Sequence, residues 1–220
     1  MEPVAQGDLT TTSYVVLGML VSRDLTAYDI SELFSRGVGE LWPRAGRQHY
    51  NVPKKLLERG LVSARADAVG ARPRTVYSIT DEGRAALTAW LAQKSRPSAL
   101  EFEGMMRVLF AEQGSIEDLR GNLRTMREQA DATRRLFGRH AVTLRDTTVA
   151  TFPERQHLMA LANRFMVGHF SHIVEWSDWA LAEIEDWPDT TTPATSHRDR
   201  TETMLDASAR LGAPEVSHEP

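Results

Sequence analysis

The sequence predicts a mainly α-helical protein: a winged helix-turn-helix domain with a two-strand wing, followed by a long-helix dimerisation domain. Three observations predict it. The first part of the chain reads in the order helix, helix, helix, strand, turn, strand, helix. One short segment, residues 44–74, carries eight Arg or Lys against two acids in a chain whose net charge is −4. The second half carries an apolar seam at heptad spacing, followed by a second long helix that is apolar on most of its circumference.

Residues 1–10 are polar and are expected to be a flexible N-terminus. Thr12 to Val21 is compact and apolar, as a buried helix would be. Thr26, with Asp29 three residues on, resembles a capping box, and Tyr28, Ile30, Leu33 and Phe34 are expected to form the inward stripe of a second helix that Gly37 and Gly39 end. A third helix is expected from about Arg44 to Arg59, with Gly60 as its stop. Pro53 interrupts it. Either the helix kinks there, or it is two short pieces with Pro53 at the start of the second. Leu61-Val62 and Val76 to Ile79 read as two short strands with Gly70 to Pro73 as the turn. Thr80 caps a fourth helix with Asp81 and Glu82 in its first turn.

Ser95-Arg96-Pro97 marks a boundary, so that residues 11–95 form the winged domain and 96–187 the helical one. Leu100 to Phe110 reads as a short helix, and Ser115 caps the next. In that long helix Ile116, Leu119, Leu123, Met126, Ala130, Thr133, Phe137, His140 and Leu144 alternate spacings of three and four. The last long helix runs from Glu154 to about Asp186. Ile116, Leu119, Leu123, Met126, Phe137, Phe165, Phe170 and Ile173 are the expected dimerisation residues. Residues 188–220 turn to Pro, Thr, Ser and charge, and are expected to be a mostly disordered tail with a short helix around Arg200–Leu211.

Composition excludes several classes. With 41% hydrophobic and 25% charged residues the 220-residue chain suits one or two folded domains. The absence of cysteine removes disulfides, thiolate zinc sites, iron–sulfur clusters and cysteine nucleophiles. The longest apolar run, Tyr14 to Val21, is far short of a membrane span. No basic residue occurs in MEPVAQGDLT, so no secretion signal is expected, and the expected location is the cytoplasm. No nucleotide-loop, hydrolase-elbow or zinc-protease motif occurs. His169, His172 and Glu175 fan across a helix surface, and no metal or cofactor is assigned.

The basic segment coincides with the two elements that would touch DNA in this fold. Arg47, Gln48 and Asn51 are of the types that read bases in the major groove, and Arg44, Lys54, Lys55, Arg72 and Arg74 would hold phosphates. Tyr50 can donate its hydroxyl to a phosphate or lie inward. Trp176 and Trp179, one turn apart, could line a pocket for a flat effector; dimer packing is the commoner role of such a pair.

At this point a resemblance emerges. LWPRAGRQHYNVPKKLLERGLV followed by RPRTVYSITDEGRAALTAWL resembles the N-terminal domain of PadR-type transcriptional regulators. The combination of Trp42-Pro43, Tyr50, the Leu56-x-x-x-Gly60-Leu61-Val62 exit and Tyr77-x-x-Thr80-x-x-Gly83 carries it, over about residues 12–94. LEFEGMMRVLF and the long helices are similar, more faintly, to the family's dimerisation domain. The resemblance implies a homodimer on a pseudo-palindromic operator in double-stranded DNA, usually as a repressor. It also implies control by a small aromatic or drug-like effector in some members. Pro53 and His49 depart from the family's pattern, where apolar residues are frequent. The rival readings are a winged-helix protein–protein adaptor docking a partner through its long helices, and an enzyme using an acid or histidine near Trp176.

Overall fold

A computed structural model describes residues 9–43, 50–69, 72–146, 148 and 152–213. The chain divides into two compact units, residues 1–98 and 99–220.

The N-terminal unit is built on α1 (Thr11–Leu20), whose N-cap is Thr10. Val16 and Leu17 are fully buried, and Tyr14 stacks on Trp90 with ring centroids 4.8 Å apart. A short strand β1 (Leu25–Thr26) leads into α2 (Ala27–Leu33). The capping box is present: Asp29 N–H donates to Thr26 Oγ1 at 3.1 Å, and Thr26 N–H donates to Asp29 Oδ2 at 2.8 Å. The helix widens at Phe34–Val38, where Gly37 adopts φ 143°, and ends in the single turn α3 (Gly39–Leu41). Ile30 and Phe34 point inward as expected, but Tyr28 is 71% exposed. It lies two residues from Ile30, about 200° round the helix, and so on the opposite face.

The third helix, α4 (Val52–Glu58), begins only at Val52, so Pro53 opens it instead of kinking a helix already under way; the start of the expected helix, residues 44–49, lies outside the described residues. Pro53 stands in the first turn, where no backbone donor is needed, and its ring is buried. Tyr50 lies just before α4 rather than within it. Gly60 closes the helix at φ +72°, a conformation glycine adopts without strain.

The wing comprises β2 (Val62–Val69) and β3 (Arg72–Ile79), each eight residues and thus longer than the short apolar runs suggested. They pair antiparallel from Val62↔Ile79 to Val69↔Arg72. Sequence pattern did not reveal β1, which adds to the other side of β3 to give the order β1-β3-β2. A two-residue strand carries too little alternation to be seen. Helix α5 (Asp81–Leu91) follows, capped by Thr80. The Thr80 hydroxyl donates to Gly60 C=O at 2.8 Å and accepts from Gly83 N–H at 3.1 Å. A Cβ at Gly83 would stand 2.1 Å from Leu61 O, so the first turn of α5 lies directly on the exit of α4. That contact is the physical content of the Thr80-x-x-Gly83 spacing.

The C-terminal unit contains α6 (Glu103–Leu109), α7 (Ile116–Arg145), α8 (Gln156–Glu183), α9 (Pro193–Ser196) and α10 (Arg198–Gly212). Ser115 and Asp118 form a second capping box, and the Asp118 carboxyl is held below its ordinary pKa by the Ser115 hydroxyl and N–H. Helices α7 and α8 form an intrachain hairpin. The heptad seam faces into it: Leu119, Leu123, Met126, Ala130 and Phe137 are all buried within the one chain. Leu119, Leu123, Met126 and Phe137, expected at a dimer interface, are therefore already covered within the one chain. A heptad stripe requires a facing helix, and α8 of the same chain supplies it.

Within residues 188–213, α10 spans the short helix expected around Arg200–Leu211, and α9 precedes it where a loose segment was expected. The Asp189 carboxylate accepts from the N–H groups of Thr191 and Thr192 at 2.7 and 2.6 Å, which turns the chain back. Arg200 of α10 bonds Asp186 at 3.0 Å. These local bonds order a polar segment that composition alone marks as loose. Among the described residues no helix is long and apolar enough to cross a membrane.

Candidate functional site

Two features follow from these elements. The first is the basic surface of the N-terminal unit. Val52, Pro53 and Leu56 sink into the core, which turns Asn51, Lys54 and Lys55 outward. Asn51 precedes α4 but makes no capping bond with its side chain. Lys54 stands in the first helical turn, where the helix dipole disfavours a cation, so helix stability does not account for it. Tyr50 is 52% exposed, and its hydroxyl accepts from Ser31 Oγ of α2 at 2.8 Å. Trp42 is anchored to α1 through a bond from its indole N–H to Thr12 Oγ1 at 3.2 Å. The start of α4 is thus braced on α2, as two helices of a helix-turn-helix require.

On the wing, Arg74 donates from Nε and Nη2 to Asp67 Oδ2 at 3.0 and 2.6 Å. Its guanidinium is engaged across the hairpin, so Arg74 is a wing brace as well as a candidate phosphate ligand. Arg65 lies 3.6 Å from Asp24. Arg72 opens β3 opposite Val69. Arg44, Arg47 and Gln48 lie outside the described residues, as do the side chain of Arg72 and wing-turn residues 70 and 71.

The second feature is a cavity of about 250 Å³ inside the C-terminal unit. Trp176 and Trp179 line it, with ring centroids 6.3 Å apart and planes inclined by 51°. The structure adds Trp187, Glu112, Glu183 and Met204 to the pair, none of which stood out in the sequence. Two buried polar atoms on its lining residues have no hydrogen-bond partner: Glu183 Oε1 and Trp187 Nε1.

Of the remaining dimerisation candidates, Ile116, Phe170 and Ile173 are half-buried, Ile116 against the Leu119–Leu123 cluster, and Phe165 is 64% exposed. Phe165 continues a stripe of exposed apolar side chains with Leu158 and Leu161 on α8. Among the described residues no group of three or more His, Asp or Glu side chains is placed to hold a metal ion.

Residues 16–89 match the family described as "Transcriptional regulator PadR-like family". Over 99 residues, 44% of this chain and 54% of the relative, the sequence is 30% identical to "Negative transcriptional regulator PadR" of Bacillus subtilis. The chain thus spans about half the length of the curated relatives it matches. The crystal structure of Bacillus subtilis PadR in complex with operator DNA has the same fold. Its TM-score is 0.69 at 22% identity, covering 80% of this chain and 99% of that one. The Vibrio cholerae virulence activator AphA is similar at TM-score 0.60 and 27% identity, over 80% and 98% of the two chains.

Proposed function

We propose, from the match of residues 16–89 to the PadR-like family of transcriptional regulators, that the chain is a sequence-specific DNA-binding repressor. It works as a homodimer on a pseudo-palindromic operator in the cytoplasm, under the control of a small molecule.

One observation carries the DNA reading: the outward row of Tyr50, Asn51, Lys54 and Lys55, braced on α2, in the chain's most basic segment. Asn51 reads a base, with Arg47 and Gln48. Lys54, Lys55, Arg44, Arg72 and Arg74 neutralise phosphates, and Tyr50 sets the register on the backbone. On DNA, Arg74 turns from Asp67 to a backbone phosphate, drawn by the summed charge of the duplex.

The homodimer is supported by the exposed Leu158, Leu161 and Phe165 stripe, which a second copy would cover. Two heads then meet half-sites one helical turn, or a multiple of it, apart. Repression is supported by the name of the Bacillus subtilis relative. Effector control is supported by that protein's complex with p-coumaric acid and by the tryptophan cavity.

Selection of bound fragments from random duplex DNA tests the proposal. Two symmetric half-sites are expected, with affinity falling steeply as salt rises. A chain that stays monomeric, or that ignores duplex in dilute buffer, overturns it. A reporter behind the selected site gives the sign of regulation.

A further inference from the structure

We infer that the cavity beside Trp176 and Trp179 takes a small organic cation: an apolar body carrying one protonated amine. The inference rests on reading this cavity as the effector site and adds the ligand's chemistry to it.

The lining decides the charge. Glu112 and Glu183 are the charged residues among those lining the cavity, and no Lys, Arg or His is among them. A carboxylate ligand would meet two like charges and no cation among the lining side chains; Arg200, outside the lining, is already paired with Glu183 and Asp186. Three indoles, from Trp176, Trp179 and Trp187, form part of the same wall. Indole faces attract ammonium groups and stack on flat apolar bodies. Charge and aromatic lining thus select the same sign.

An unpaired atom decides the polar group. Glu183 Oε1 is buried without a hydrogen bond. Arg200 Nε forms an ion pair with it at 3.7 Å, too long for a hydrogen bond, and the same guanidinium bonds Asp186 at 3.0 Å. A buried carboxylate oxygen without a donor is costly, and an ammonium N–H would satisfy it. A volume of about 250 Å³ is slightly below the ~300–1,000 Å³ typical of drug-sized sites, so the ligand is small.

Isothermal titration of the full chain with three probes of similar size tests this: 2-phenylethylamine, 2-phenylethanol and phenylacetate. The amine should bind roughly tenfold or more tighter than the alcohol, the span of one charge-assisted hydrogen bond. Phenylacetate should not bind. Glu183→Gln should bring the amine to the alcohol's affinity and leave the alcohol unchanged. Glu112→Gln, at the exposed rim, should reduce the amine's affinity less. Phenylacetate binding as tightly as the amine, an amine preference that survives Glu183→Gln, or no binding by any probe overturns the inference. DNA affinity is read separately. Amine binding with unchanged DNA affinity upholds the ligand class and removes the effector reading. Phenylacetate binding that releases DNA does the reverse.

Discussion

Leu123 and Phe165 separate the interior of the helical unit from its proposed subunit interface. Leu123 is 1% exposed within a single chain, whereas Phe165 is 64% exposed. Leucine-to-alanine changes in packed cores cost about 2–5 kcal/mol, through lost transfer energy and the void left behind. One side of Leu123 already borders the tryptophan cavity, so fewer packed neighbours are lost there. The cost for Leu123→Ala should therefore fall at about 2–3 kcal/mol. Because the lost contacts are within the chain, the loss should be the same at low and high protein concentration. Phe165→Ala removes a side chain that one chain leaves mostly in water, so an isolated protomer should hardly register it. It should instead weaken self-association by about 2 kcal/mol, roughly thirtyfold in Kd, if Phe165 is a central aromatic contact. Urea unfolding followed by circular dichroism at two concentrations a hundredfold apart, with sedimentation equilibrium, measures both. If Leu123→Ala acts mainly by raising the dimer dissociation constant while Phe165→Ala leaves it unchanged, the seam pairs between subunits and the assignment is refuted.

Other consequences are open to measurement. Gly83→Ala places a Cβ 2.1 Å from a backbone oxygen that cannot rotate away, and should destabilise the N-terminal unit by at least about 1–3 kcal/mol in thermal melts. Lys54→Ala should weaken all duplexes alike and lower the salt slope by about one, whereas Asn51→Ala should relax one base position by ~1–3 kcal/mol in competition binding. The carboxyls of Asp118 and Asp131 lie below their ordinary value of 3.8, the first through Ser115 and the second chiefly through its bond from Arg134. The folded chain thus keeps these groups ionised at acidities where the unfolded chain has protonated them. Their contribution is complete above about pH 4 and lost as pH falls through the lower folded values. Asp131→Asn should make the acid limb of a helicity titration shallower; an unchanged limb argues against the Arg134 pairing.

What the sequence by itself determined is the set of features that close over three or four residues, together with their order. Thr26 with Asp29, Ser115 with Asp118, Thr80 ahead of Gly83, and Gly60 at a helix end are local hydrogen-bonding and backbone requirements. Each is readable where it stands. The strand–turn–strand order and the family motif have the same origin. Tertiary structure alone decided what covers an apolar stripe. Heptad spacing says that Leu119 to Phe137 need a facing helix, but carries no label for whose helix it is, and here α8 of the same chain fills the place. The same holds for the cavity. Trp176 and Trp179 are visible as a pair, and Trp187 follows Trp176 at a helical spacing, but Glu112 and Met204 reach them from other segments. Such proximity is set by packing between distant residues rather than by spacing along the chain.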